Sequence, residues 1–188
     1  MTLRENKIYL YLVAIALISW WLVKLIGLDE IYHGPVPAHS PDYFSKGYTK
    51  WEMNEMGTLK NKLLADEMTH YSDDGSTHLI NPLMFFYNAK TPPWVVKSET
   101  GILFRGGNDL LLKGKVAIDR EKSENAAQLT IHTSKLKVKP KISYAETNEW
   151  AELISPPNRT TGTGMKLTFI EPIHLQLLAN VKGKYETK

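Results

Sequence analysis

The sequence predicts an all-β domain that follows one apolar N-terminal helix, and three observations predict it. Apolar and polar residues alternate with a period of two along much of the chain after residue 45. Clusters of Gly, Pro, Asn and Asp separate these alternating stretches, as turns do between strands. One unbroken apolar stretch near the N-terminus has the length of a helix rather than of a strand.

The apolar stretch covers residues 8–26 and is predicted to anchor the chain in a membrane. Its nineteen residues rise by about 29 Å as a helix, close to the roughly 30 Å of a hydrocarbon core. Aromatic rings lie near both of its ends, where they favour the membrane interface. We assign residues 1–27 to this anchor, and name as its anchor residues Ile8, Leu12, Ile15, Trp20, Trp21 and Ile26.

Two other interpretations of this stretch are a cleaved signal peptide and a buried helix. A signal peptide has an apolar core of about 7–15 residues with a small-residue cleavage site close behind it. Here the core is longer, and the one candidate site, residues 36–38, lies far downstream and contains Pro37. A buried helix at a domain surface is amphipathic, whereas this segment is apolar on every side.

The charges beside the stretch predict its orientation. Arg4 and Lys7 precede it, whereas Asp29 and Glu30 follow Lys24. By the positive-inside rule the N-terminus is cytoplasmic and the β domain lies outside the cytoplasm. The chain has no cysteine, so no disulfide stabilises that domain. A net charge of +3 is too small to indicate a nucleic-acid partner.

The β domain is predicted over residues 46–188, behind an extended linker over residues 28–45 that is rich in proline. A strand over residues 109–119 places Leu110, Leu112, Gly114, Val116 and Ile118 on one face. A second predicted strand, over residues 136–144, also places its apolar residues on one face, although Pro140 suggests an edge strand or a bulge there. Many short strands of this kind predict a sandwich, barrel or jelly roll.

Catalytic and metal-binding patterns are missing from the sequence. The six histidines show no H-E-x-x-H motif and no close pair with ligand spacing. No phosphate-binding glycine loop is present, and no nucleophile lies near a base in a recognised motif. We therefore expect a protein that is not an enzyme and that holds neither a metal nor a cofactor.

A set of ordered motifs resembles the LptC family of lipopolysaccharide export proteins. The motifs are Gly57-x-Leu59-x-x-x-Leu63-x-Ala65, His70-Tyr71, Pro82, Trp94-x-Val96, Leu112-x-Gly114-x-Val116, Gly164-Met165-Lys166-Leu167 and Val181-x-Gly183-x-Tyr185. The resemblance runs from the apolar stretch to the C-terminus. It implies a single-pass inner-membrane protein of Gram-negative bacteria with a periplasmic, partly open β-jellyroll that serves outer-membrane biogenesis.

The resemblance also implies the cargo and the partners. Proteins of this family join an ABC transporter made of LptF, LptG and the ATPase LptB. They accept lipopolysaccharide from that transporter and pass it to the periplasmic bridge protein LptA. On this analogy the C-terminal edge docks LptA through Ile173, Leu175, Leu177, Val181 and Tyr185. The N-terminal edge, with Tyr48, Trp51 and Met53, faces the transporter.

Two interpretations of the inward apolar face remain open. It forms a closed core, in which case the protein is an anchored scaffold that binds no lipid, or it lines a groove for acyl chains. Burial of a chain of about 12 methylene groups yields on the order of 10 kcal/mol before any opposing term. The residues assigned to the groove are Leu63, Leu79, Phe85, Trp94, Val96, Phe104, Leu112, Val116, Ile131, Val138, Tyr144, Leu167, Leu175 and Leu177.

Overall fold

The structure, a computed structural model, describes residues 5–25 and 39–185. It contains one helix, α1, at Glu5–Leu25, and an antiparallel sheet of thirteen strands. The strands are β1 Pro41–Met53, β2 Leu59–Tyr71, β3 Thr77–Ile80, β4 Leu83–Phe86, β5 Trp94–Lys97, β6 Thr100–Leu103, β7 Leu110–Lys113, β8 Val116–Arg120, β9 Leu129–Thr133, β10 Leu136–Lys139, β11 Tyr144–Ser155, β12 Asn158–Thr168 and β13 His174–Lys184. The predicted all-β class of the domain is confirmed.

Helix α1 contains 21 residues, among them five of the six residues named for the anchor, and the sixth, Ile26, lies outside the described residues. Leu12, Ile15, Trp20 and Trp21 on this helix are all exposed. Within the described ranges, no helix combines the length and the hydropathy expected of a membrane-crossing segment. The predicted span is therefore not confirmed.

The chain forms a second compact unit from His39 onward. Strand β1 begins at Pro41, so residues 41–45 are part of the sheet rather than of the predicted linker. The rest of that linker, up to residue 38, lies outside the described residues. Strand β1 pairs with β2 along almost its whole length, which ties these residues to the domain.

The sheet folds over on itself into two layers, and the long strands β2 and β11 pair with both. The first part of β2 pairs with β4 and the second part with β3. Strand β11 pairs first with β10 and then with β9. Between these two strands, the first layer contains β3, β6, β7 and β10, and the second layer contains β4, β5, β8 and β9.

Four two-residue connections join the layers along one side of the fold, which we call the seam. They are residues 81–82, 98–99, 114–115 and 134–135. Gly114 has a φ of +78°, and a Cβ added there would lie 2.9 Å from the Cβ of Glu99 in a neighbouring connection. Glycine meets both requirements because it has no Cβ and tolerates positive φ. We call the opposite side, where the connections within each layer lie, the rim.

The core lies between the layers and is built from the alternating inward residues of both. Leu110 and Leu112 from the first layer, with Val116 and Ile118 from the second, are each at most 2% exposed. Trp94, Phe86 and Phe169 are its largest fully buried side chains. Every one of these side chains belongs to one continuous apolar cluster.

The predicted strand over residues 109–119 is wrong, because the structure has two strands there in different layers. Strand β7 ends at Lys113, and β8 begins at Val116 after the seam connection at Gly114 and Lys115. The alternation continues across the connection because both layers direct their inward residues into one interior.

The predicted strand over residues 136–144 is also interrupted. Strand β10 ends at Lys139, and Pro140–Ile142 forms a 3-10 turn. Proline has no N–H and cannot continue the ladder of hydrogen bonds. Pro140 is buried, whereas Ile142 is 59% exposed and so does not share the inward face of Leu136 and Val138.

Candidate lipid-binding interior and partner edges

The structure brings most of the predicted groove residues together in the interior. Nine of the fourteen are at most 4% exposed: Leu63, Leu79, Trp94, Val96, Leu112, Val116, Ile131, Val138 and Leu167. They come from both layers and belong to the same apolar cluster. Since these side chains fill the interior, an acyl chain can reach them only if the two layers separate.

Two of the predicted groove residues lie elsewhere. Phe85 alternates with the buried Met84 and Phe86 on β4, so it faces outward, and its ring stacks on Tyr87 with centroids 6.2 Å apart. Phe104 follows β6 at the rim and is 46% exposed. In the run Leu83–Phe86 every residue is apolar, so the sequence pattern did not indicate which phenylalanine faces inward.

The remaining three predicted groove residues, Tyr144, Leu175 and Leu177, are half-buried. The two leucines lie on β13 and pack against the edge of the core. Tyr144 lies where β11 begins at the rim, and its hydroxyl donates a hydrogen bond to the Glu146 carboxylate at 2.9 Å. Burial and this acidic neighbour raise the pKa of Tyr144 to about 12. These residues mark the boundary between the interior and its surface.

The rims of the two layers meet at Phe169, which follows β12. Its ring stacks on Phe86 of the second layer with centroids 4.1 Å apart and meets Trp94 edge-on at 5.8 Å. Its backbone N–H donates to the Ser143 carbonyl on the first-layer side at 2.8 Å. Asn88, from the connection between β4 and β5, donates its side-chain N–H to the Phe169 carbonyl at 3.0 Å.

A second polar contact crosses the rim beside Phe169. The Lys60 ammonium, near the start of β2, donates to the carbonyl of Lys141 in the connection between β10 and β11. We call the set Lys60, Asn88, Ser143 and Phe169 the rim latch. The sequence placed Phe169 on the apolar face of its strand, but each of the two side-chain hydrogen bonds joins residues 81 positions apart in the chain, and no local pattern identifies them.

A cleft of about 900 Å³ opens against the rim latch. It is lined by residues 53–56 and 58–60, by Tyr87–Ala89 and by Ile170. Met53, Met56 and Ile170 are 53%, 84% and 38% exposed, so apolar side chains face solvent here. We call this the rim cleft. The sequence did not predict this cleft because three separate connections form it.

Strand β1 is one free edge of the sheet, since among the described residues it pairs with β2 alone. Trp51 and Met53 are more than half exposed, and Tyr48 packs against the core. Burial raises the pKa of Tyr48 above its usual value. The three residues predicted for the transporter side therefore lie on an edge strand with apolar side chains at its surface.

Strand β13 is the other free edge and pairs with β12 alone in the described part of the chain. Val181 and Tyr185 are 55% and 69% exposed, while Ile173 and Leu175 are half-buried. A bulge interrupts the strand, because Ala179 pairs with Thr163 and Lys182 with Thr161. Asn180 lies in this bulge with a φ of +51°. The predicted LptA edge is thus one strand whose pairing is interrupted by a bulge.

One group of possible metal ligands comes together on the surface. His39, Asp73 and Asp74 lie close enough to share an ion, and all three are exposed. His39 stacks on Tyr71 and forms a hydrogen bond with Asp73 at 3.1 Å. The stacked ring and the hydrogen bond account for the position of His39 and Asp73 at the surface.

Comparison with solved structures shows the fold. The chain is similar to the crystal structure of LptH from Pseudomonas aeruginosa, the LptA-homologous periplasmic component of a lipopolysaccharide transport device. The similarity has a TM-score of 0.52 at 8% identity and covers 68% of this chain and 95% of LptH. The predicted jellyroll-like fold is confirmed by this likeness.

Comparison at the level of sequence shows the family. No curated protein matches the chain. A family model described as lipopolysaccharide-assembly, LptC-related, matches residues 8–186, which is nearly the whole chain. The chain therefore belongs to the LptC-related family and takes part in lipopolysaccharide transport.

Proposed function

We propose that this protein is an anchored subunit of the lipopolysaccharide export machinery that takes the lipid from the ABC transporter and passes it to LptA. The family match carries the proposal, and the geometry supports it in three places. These are an apolar interior between two layers, a free edge at β1 and a second free edge at β13. The protein binds and transfers, and the ATPase LptB supplies the energy.

The anchor of this proposal is the segment that contains α1. Its sequence holds no Asp, Glu, Lys or Arg between Lys7 and Lys24. Residues 8–26, which include Lys24, number 19, and an apolar helical segment of about that length is stable in a hydrocarbon core because helical backbone polar groups are paired with one another. Ala14 and Ala16 allow close approach of the helices of LptF and LptG.

The cargo of this proposal is the acyl region of lipopolysaccharide. Acyl chains gain free energy from apolar surroundings and need no catalytic group. The sugars and phosphates of the lipid are polar and stay in water at the rim. Because the interior side chains are packed in this structure, the layers have to part during loading.

The two edges of this proposal bind neighbouring proteins by strand addition. An unpaired edge strand offers N–H and C=O groups to a strand of another chain. Strand β1 follows the anchor segment in the sequence, which favours the transporter as its partner. Strand β13 lies at the other end of the sheet order, and we assign it as the edge that binds LptA.

The second candidate function is an anchored scaffold that links the transporter to LptA and touches no lipid. The packed interior favours it, since Trp94, Val96 and Ile118 are 0% exposed. Mass spectrometry of the purified full-length protein separates the two candidates. Copurified lipopolysaccharide supports the transfer subunit, and a lipid-free protein that still joins LptA to the transporter supports the scaffold.

A photo-crosslinking experiment tests the transfer function directly. A photoreactive amino acid is placed at Leu79, Trp94, Leu112 or Leu175 in the full chain, together with LptB, LptF, LptG, ATP and lipopolysaccharide. We expect ATP-dependent capture of lipid at these sites and not at the outward-facing Lys113 and Lys137. Equal capture at interior and lysine positions, or none at the interior, contradicts the proposal.

A further inference from the structure

We propose that the rim latch is a gate and that acyl chains of lipopolysaccharide enter the interior through the rim cleft when Phe169 moves out. This inference rests on the proposed function, because it assumes that the interior accepts lipid. Phe169 lies between the apolar interior and the rim cleft, the two spaces between which a lipid would pass. Its ring is buried against Phe86 and Trp94 on the inner side, and the next residue, Ile170, lines the cleft on the outer side.

Few contacts join the two layers at this place. Phe169 belongs to the connection between β12 and β13 and not to a paired strand, so its displacement breaks no strand pairing. Two side-chain hydrogen bonds, from Asn88 and Lys60, cross between the rims. The seam, by contrast, joins the layers covalently four times. The fold is therefore able to open at the rim while the seam acts as the hinge.

The closed state also contains unfavourable features beside Phe169. Ser143 adopts a left-handed backbone conformation, with φ 51° and ψ 46°, which is uncommon for serine. The Ser143 hydroxyl and the Trp94 indole N–H are buried, and neither finds a hydrogen-bond partner within the described residues. Buried polar groups of this kind destabilise the arrangement that contains them. These features lower the free-energy difference between closed and open states.

The rim cleft has the chemistry of an entrance for an acyl chain. Met53, Met56, Leu59 and Ile170 provide apolar surface, and methionine adapts its shape to flexible partners. Lys60 lines the cleft as well as holding the latch. An anionic lipid headgroup at the cleft competes with the Lys141 carbonyl for the Lys60 ammonium, because a charged acceptor binds it more strongly. Arrival of the lipid therefore weakens the latch.

A reversible crosslink tests the gate. The native chain has no cysteine, so Asn88→Cys and Ile170→Cys together give one unique pair across the mouth of the cleft. A bismaleimide with a reducible disulfide joins the pair, and a photoreactive residue at Leu112 reports lipid in the interior. The full chain is used with the transporter, ATP and lipopolysaccharide. We expect at least tenfold lower capture in the locked protein and recovery on reduction.

A matched crosslink controls for the chemistry. Met53→Cys with Met56→Cys carries the same reagent on the cleft, but both residues lie at the connection from β1 to β2 and do not bridge the layers. This protein should capture lipid whether crosslinked or reduced. If the pair across the mouth is crosslinked and the residue at position 112 still captures lipid at the rate of the uncrosslinked protein, the gate proposal is contradicted and the transfer function stands. If no unlocked protein captures lipid, the transfer function fails and the gate with it.

A gentler substitution tests the latch without a crosslink. Asn88→Ala removes the side-chain bond to the Phe169 carbonyl and leaves Phe169 in place. We expect capture at Leu112 to become about fivefold faster, the change expected when one net hydrogen bond is lost. Ser155→Ala is the control, because its bond to the Gln128 carbonyl lies within the second-layer side of the rim. Equal rates in Asn88→Ala, Ser155→Ala and the native protein overturn the gate.

Discussion

At the scale of the residue, position within the pleat decides what each apolar side chain can do. The alternation along the sequence identified Leu110, Leu112, Val116 and Ile118 as inward residues, and the structure buries all four. It failed where neighbouring residues are equally apolar. Phe85 and Phe86 are identical in type and adjacent, so only the register of β4 with β2 and β5 decides that Phe86 faces inward.

Substitution of these two phenylalanines tests that assignment. Phe86→Ala removes a fully buried ring that stacks on Phe169, and we expect the free energy of unfolding to fall by about 3–5 kcal/mol. Phe85→Ala, the matched control, removes a half-buried ring on the outer face and should lower it by roughly 1 kcal/mol. Urea denaturation of both full-length variants measures the difference. Equal losses would contradict the assignment, and a larger loss in Phe85→Ala would mean that β4 is in the opposite register.

Ionisation of Tyr144 predicts how stability depends on pH. Burial and the hydrogen bond to Glu146 raise its pKa from 10.0 to about 12, so the folded protein holds this proton more tightly than the unfolded chain. The contribution of the protonated Tyr144 to the free energy of unfolding is complete below pH 10 and is lost as the pH rises towards 12. We expect Tyr144→Phe to reduce the fall in the urea midpoint between these two pH values. The same fall in both proteins contradicts the assignment.

At the scale of the element, the sequence predicted strands well and their ends less well. Period two carries no information on where a strand leaves one layer for the other, so Gly114 at the seam looked like one more inward position. Pro140 gave a clearer signal because proline cannot donate a ladder hydrogen bond, and the strand does end beside it. The bulge at Asn180 was not predicted, although asparagine is depleted in strands and adopts a positive φ more readily than most residues.

Proline substitutions on β13 test the edge proposed for LptA. Neighbouring residues in a strand direct their N–H groups to opposite sides, so Leu177→Pro and Leu178→Pro remove one inner and one outer donor. We expect the variant that loses the outer N–H to keep its thermal stability and its association with LptF and LptG, but to lose LptA capture in a pull-down. The variant that loses the inner N–H should have a lower thermal stability, because it breaks the ladder of hydrogen bonds with β12.

Alanine at the same positions provides the control, because it shortens the side chain and keeps the N–H. Leu177→Ala and Leu178→Ala should therefore retain most of the LptA capture. If both proline variants fold and still capture LptA at the native level, the edge of β13 is not the docking site. Loss of capture in the alanine variants alone would indicate that side chains, rather than strand addition, hold the partner.

At the scale of the whole molecule, the two layers give the chain an interior that is closed in this structure. The sequence predicted an apolar inward face but could not tell a core from a groove, since both need the same residues. The structure adds the difference between the sides: four covalent connections at the seam, and at the rim a ring and a few hydrogen bonds. That asymmetry supports the proposed gate, in which the domain opens at the rim.

We propose that lipopolysaccharide occupies the space between the layers during transfer, and a distance across the rim tests this occupancy most directly. Spin labels at Lys139→Cys, on the first layer, and Lys90→Cys, in the second-layer connection from β4 to β5, report that distance by pulsed electron paramagnetic resonance. With saturating lipopolysaccharide we predict a second population whose distance is longer by roughly 4 Å, about one layer of carbon atoms in contact. A single unchanged distribution, with the lipid bound to the protein, would contradict the account.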